Sequence, residues 1–170
     1  YQRPPKIMNS KLSISFESPQ SGWMSVRLRS GAESFVAVVS HAPADSLVEL
    51  MRGLTALLSG EKNITVRWNA EPEEFDFIFS VGGERVELKI VRFLDHRRAT
   101  RTREVVFTFK GSLRDLCLPF WTELRGLRER SETDVFISNW RRAFPEQELR
   151  ELTRAVETFA GTSPVRADIS

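Results

Sequence analysis

Cysteine is nearly absent from this 170-residue chain, with Cys117 the only one. An intramolecular disulfide is therefore excluded, and a lone thiol fits a reducing cytosol. Histidine is almost as scarce. His41 and His96 share no HxxxH spacing and have no cysteine to pair with, which argues against a zinc site. His41 follows Ser40 and precedes Asp45, but no GxSxG elbow supplies a nucleophile. Gly82-Gly83 is the sole glycine pair. It carries neither a Walker lysine nor a dinucleotide fingerprint, so phosphate-cradling loops are absent. No apolar run approaches the roughly 20 residues of a membrane span. Tyr1 to Lys6 lacks the apolar core of a signal peptide, and these first residues read as vector-derived or as an upstream extension, with Met8 an alternative start. A net charge of only +2 gives no global electrostatic case for nucleic acid or membrane. These absences lead to an expectation of a cytoplasmic protein.

What is present is ordinary for a folded domain: 41% apolar residues, 28% charged residues, 12 Phe and 4 Trp. A single domain over 1–170 is expected, with 1–10 loosely held and 162–170 a loose tail. Leu12, Ile14 and Phe16 alternate with polar residues, as do Met24, Val26 and Leu28, and this period of two marks half-buried strands. Phe35 to Val39 is apolar throughout, which predicts a strand buried on both faces. Leu47, Leu50, Met51, Leu54, Leu57 and Leu58 then fall at helical spacing. A Ser46/Glu49 capping box and a Gly60 stop predict a helix over about 45–59.

Strands resume at Ile64–Trp68 and Phe75–Phe79, and Gly82-Gly83 predicts a tight hairpin to Val86–Ile90. Val105, Phe107 and Phe109 make the last strand. Ser112 caps a helix striped by Leu113, Leu116, Cys117, Phe120, Trp121, Leu124 and Leu127, with Pro119 expected to kink it or mark its true first turn. Residues 131–144 read either as its extension or as a separate helix. Pro145 opens a final helix carrying Leu149, Leu152, Val156 and Phe159. The fold class expected is α+β: one antiparallel sheet of six to seven strands with helices on one face, in the order βββα-ββββ-αα.

Two polar clusters are candidate sites. Glu71, Glu73 and Glu74, with Asp76 just beyond, offer oxygen ligands, but no glycine provides the sharp turn of a calcium loop. The plainer reading is a strand connection with phenylalanines inward and carboxylates outward; a partner-facing acidic patch is the other. The second cluster is Arg97, Arg98, Arg101 and Arg103 between two strands. Such arginines suit phosphates, through fork-like donors, or an acidic protein, or merely a solvated loop that discourages edge aggregation. Most aromatics fall on core faces, which weakens an RNA platform. Cys117, on an apolar stripe, reads as an inert core residue. No residue is singled out as catalytic or metal-binding, and no cofactor is implied.

Gly22-Trp23, the single leucine helix and Trp68-Asn69-Ala70-Glu71-Pro72 resemble, over residues 12–93, immunity-like proteins of bacterial polymorphic toxin and contact-dependent inhibition systems. The resemblance implies a non-catalytic protein that binds and neutralises a toxin through a charged surface particular to each pair. A nucleic-acid-associated protein using residues 97–103 is the alternative, and an enzyme with a dispersed site the second.

Overall fold

The structure is a computed structural model and describes residues 10–162. The expectations for the loose start and for the tail beyond residue 162 lie outside those residues. Seven strands form: β1 Leu12–Phe16, β2 Trp23–Ser30, β3 Glu33–Ser40, β4 Asn63–Asn69, β5 Glu74–Gly82, β6 Arg85–Phe93 and β7 Glu104–Ser112. The helices are α1 Ser46–Leu58, α2 Leu113–Arg130, α3 Thr133–Trp140 and α4 Glu146–Thr162. The class is α+β, but the strands do not share one sheet. They divide into antiparallel sheets β1-β2-β3 and β4-β5-β6-β7.

The division follows from burial. The period-two strands have one apolar face each, and the two apolar faces cover one another. Phe35 of β3 meets Phe75 and Phe77 of β5 edge-on, at centroid distances of 5.1 and 5.8 Å. Phe16 of β1 lies 6.2 Å from Trp68 of β4. Aromatic pairs in such offset geometries add to simple burial. The helices close the remaining openings: α1 lies against β4 and α4, and α2 against β1. Thus the cover of the four-stranded sheet is shared between helices and a second sheet, and is not helical alone. Trp68, Phe77, Leu88 and Phe107 belong to the same buried cluster as Leu50, Leu54 and Leu57.

Local chemistry accounts for the element ends. Asp45, one residue earlier than the capping box indicates, caps α1: its Oδ1 accepts from Val48 N at 3.3 Å. Ser46 is instead drawn inward, and its hydroxyl donates to Arg67 O at 2.6 Å. Gly60, at φ 110°, ends α1 as its left-handed stop. The β5–β6 turn is shifted by one residue, since Gly82 pairs with Arg85 and the loop is Gly83-Glu84. Ser112 caps α2, accepting from Asp115 N at 3.0 Å, and the helix continues through Pro119. Residues 133–140 form a separate helix, stopped by Arg141 at φ 68°.

β3 departs from expectation. Phe35, Ala37 and Val39 are buried, but Val36 and Val38 are 52% and 54% exposed. The continuous apolar run is therefore covered on one face only.

Cys117 is buried in α2, and burial pushes its thiol up to about 12. Against the ordinary thiol value of 9.0, this lowers the thiolate fraction at pH 8 by about a thousandfold, and the thiolate is the reactive form. Iodoacetamide labelling of the native protein at pH 8 is expected to be at least that much slower than in urea. Comparable rates would place Cys117 at an accessible surface.

Candidate interface at the β6–β7 loop

The outer face of the four-stranded sheet carries the charges that the sequence singles out. Along β5, residues 75–77 are all buried, including Asp76 at 7% exposure. Its neighbours Phe75 and Phe77 face the core, so Asp76 points the other way and something covers it. The cover is the β6–β7 connection, residues 94–103. Asp95 Oδ1 accepts from Arg97 N at 2.9 Å, Asp95 O accepts from Arg98 N at 3.1 Å, and a 3-10 turn spans Thr100–Thr102.

At the head of this turn Arg98 takes a left-handed φ of 52°, and its side chain folds back over the sheet. Nη1 reaches Glu74 Oε2 at 2.6 Å, and Nη2 donates to Asp76 Oδ2. The guanidinium carbon lies 3.9 Å from the centroid of the Phe93 ring, a cation–π contact. Arg67 approaches from β4, its Nε 3.4 Å from Asp76 Oδ1 and 3.8 Å from Glu74 Oε2. Burial of the Arg98 guanidinium opposes its charge. The hydrogen bonds and charges of Asp76 and Glu74 outweigh burial, so its pKa lies above the ordinary arginine value. Two arginines and two carboxylates form a locally neutral cluster whose hydrogen-bonding capacity is turned inward.

The candidate residues thus separate. Arg98, Glu74, Asp76 and, unanticipated, Arg67 are brought together and hold the loop to the sheet. Glu73 is half-buried and pairs with Arg92, Nη1 to Oε2 at 3.6 Å, while Arg92 Nη2 holds Glu104 Oε2 at 2.6 Å. Glu71 is exposed on the β4–β5 turn, its Oε1 accepting from Asn69 Nδ2 at 3.2 Å. The expectation that the acidic knot's carboxylates are solvated therefore fails at Asp76 and Glu74: both lie on the face turned away from the core, but the arginine loop packs over them. Arg97, Arg101 and Arg103 are exposed, and among the described residues their side chains make no ion pair or hydrogen bond.

No protein-family model, no curated protein and no solved structure matches the chain.

Other chemistry-bearing groups serve the fold. His41 is half-buried, with Nδ1 3.1 Å from Gly22 O and its ring edge-on to Trp140. The Asp45 carboxylate is engaged at the start of α1 and does not form a dyad with His41. Among the described residues no three His, Cys, Asp or Glu side chains converge as metal ligands would, and no helix is long and apolar enough to cross a membrane.

Proposed function

We propose that this chain is a non-catalytic protein-interaction module whose partner presents acidic groups to the β6–β7 loop. The observation that supports it is the division of labour among the four arginines. Arg98 spends its charge on Glu74 and Asp76 and fixes the loop, while Arg97, Arg101 and Arg103 are left exposed and unpaired on it. An anchored loop loses little backbone entropy on binding, and the unpaired guanidiniums on it accelerate encounter with a carboxylate-bearing surface. An immunity-like role, in which the partner is a toxin neutralised in the cytoplasm, is the specific form of this reading. It rests on the resemblance over residues 12–93.

The same three arginines favour nucleic acid as the second reading, and salt dependence separates the two. As a protein-binding module, the chain is expected to hold random duplex and single-stranded oligonucleotides no better than about 10⁻⁴ M at physiological salt. Affinity capture from the source cells is expected to return a protein retained by the wild type and lost by the Arg97→Gln/Arg101→Gln/Arg103→Gln variant. Stability of that variant should change by less than about 1 kcal/mol, since exposed charges contribute little. Micromolar oligonucleotide binding, with a log–log salt slope that the triple change flattens by roughly 2–3 units, would replace the protein-partner reading by the nucleic-acid one.

A further inference from the structure

The four sheet edges are not alike. β1 is tied to α2: Phe16 N donates to Glu123 Oε1 at 2.9 Å, and Arg130 Nη2 donates to Phe16 O at 2.9 Å. β4 is covered by α1. β7 carries Glu104 and Lys110, charges that blunt an edge. β3 pairs with β2 alone, and from Ser34 to Ser40 it contains no charge and no proline. In an antiparallel ladder, alternate residues turn their N–H and C=O groups away from the partner strand. Along β3 those groups have no hydrogen-bonded strand beside them, although β7 and β4 come close to β3.

A groove of about 510 Å³ runs along this edge. Five consecutive β3 residues, 34–38, form one side of it, so the strand's edge and not merely one of its faces borders the space. Ala70, Phe75, Arg92 and Val106 form the other side. Val106 is there because of a β-bulge: Ile90 pairs with Phe107 and Val91 with Val105, leaving Val106 as the extra residue. Bulges re-aim side chains in this way. Val106, on the far side of the groove, follows Arg103 by three residues.

The charges beside the groove are specific. Glu73 and Glu104 are already held by Arg92, and Glu33 sits at the start of β3. On the solvent face of β2, Arg27 and Arg29 are exposed, and among the described residues their side chains have no partner. Arg27 lies opposite Val36 and Arg29 opposite Ser34. Valine and serine are short, so both arginines extend unobstructed across β3. A strand added beyond β3 would lie about 9.6 Å from β2, two strand spacings. That distance is within the combined reach of an arginine and a carboxylate side chain.

We infer that the β3 groove binds an extended segment of a partner protein as an added strand, with apolar side chains turned into the groove and acidic side chains alternating onto Arg27 and Arg29. Backbone pairing would supply affinity, and alternate side chains specificity. The inference deepens the protein-partner reading and rests on it: the segment lies in the groove while the arginine loop meets the partner's neighbouring surface.

The test uses the full chain and three labelled nine-residue peptides: alternating Val and Glu, alternating Val and Lys, and the Val/Glu peptide with a central proline. In fluorescence anisotropy the Val/Glu peptide is expected to bind at least tenfold more tightly than the other two. Arg27→Glu/Arg29→Glu should invert the preference between Glu and Lys peptides, and Val36→Glu/Val38→Glu, which sets carboxylates on the face that the peptide's own would occupy, should abolish binding of the Val/Glu peptide with the circular dichroism spectrum unchanged. Hydrogen exchange at residues 34–38 should slow when the peptide is bound. Arg97→Gln/Arg101→Gln/Arg103→Gln should leave the peptide's affinity unchanged, so failure of the loop reading and failure of the groove reading give different results. No binding of the Val/Glu peptide up to about 1 mM, about 4 kcal/mol of affinity, overturns the proposal. So does binding indifferent to Arg27→Glu/Arg29→Glu. A concentration-dependent dimer dissolved by Val36→Lys/Val38→Lys assigns the groove to a second copy and overturns it, and oligonucleotide binding lost on Arg27→Glu/Arg29→Glu assigns the face to nucleic acid and does the same.

Discussion

Phe77→Ala is expected to lower the free energy of unfolding by about 3–5 kcal/mol. Phe77 is 1% exposed. Its ring faces Phe35 of the three-stranded sheet at 5.8 Å and Trp68 of its own sheet, also at 5.8 Å. It therefore belongs to both layers, and its removal leaves a void that neither sheet can fill by moving a side chain. Two hydrogen-bonded sheets are stiffer than a loop, so collapse into the void is limited and the upper half of the range is the expected result. Urea denaturation with an unchanged slope and a lowered midpoint is the measurement. A loss below about 1 kcal/mol would mean that the two sheets do not share this ring. Leu54→Ala in α1, fully buried, should cost about 2–5 kcal/mol for the same reason.

Arg98→Met should cost about 2–4 kcal/mol, between the value of an exposed ion pair, about 1 kcal/mol or less, and the 3–5 kcal/mol lost when one member of a buried pair is removed. The methionine keeps an apolar stem against Phe93, so the loss reports charge more than packing. What remains is Glu74 beside Asp76, with side chains 14% and 9% exposed, two like charges with only the more distant Arg67 between them. Arg98→Lys should recover part of the loss at most, because an ammonium cannot serve both carboxylates with a planar fork. Adding Asp76→Asn to Arg98→Met should restore part of the stability, since the stranded charge is then gone. A cost near zero for Arg98→Met, measured in urea, would reduce the cluster to a surface ion pair. Amide exchange of residues 95–103 should accelerate in the variant while that of β5 core amides does not, because Arg98 holds the loop and not the sheet.

The element types were legible because they depend on neighbours close in the chain. A side-chain period of two at residues 12–16 and 75–79, and of 3.6 at residues 47–58, follows from backbone geometry alone. Turn chemistry at Gly60 and Ser112 needs only adjacent residues. The β5–β6 turn missed its register by one residue because Gly82 and Gly83 are chemically equivalent, and strand pairing chose between them.

The candidate site divides along the same line. That residues 97–103 form an arginine-rich connection between strands is plain from the sequence. That Arg98 turns inward while Arg97 turns outward is not, since the two are locally identical. The difference is set by Glu74 and Asp76, 24 and 22 residues away across a hairpin. Asp76 reads as an outward carboxylate in an alternating strand, and nothing local announces that a loop will cover it.

By itself, then, the sequence determined an α+β chain of six to seven strands, a leucine-striped helix after the third of them, a helical C-terminal region, and an arginine loop between the last two strands. Only the tertiary structure decided that β3 and β4 join different sheets, that one arginine of four is spent on buried carboxylates, and that an apolar strand keeps a bare outer face and an edge with no hydrogen-bonded partner. The physical reason is common to all three. Hydrophobic pattern specifies which side chains require cover, but the identity of the cover is a contact between segments far apart in the chain, fixed by packing and not by periodicity.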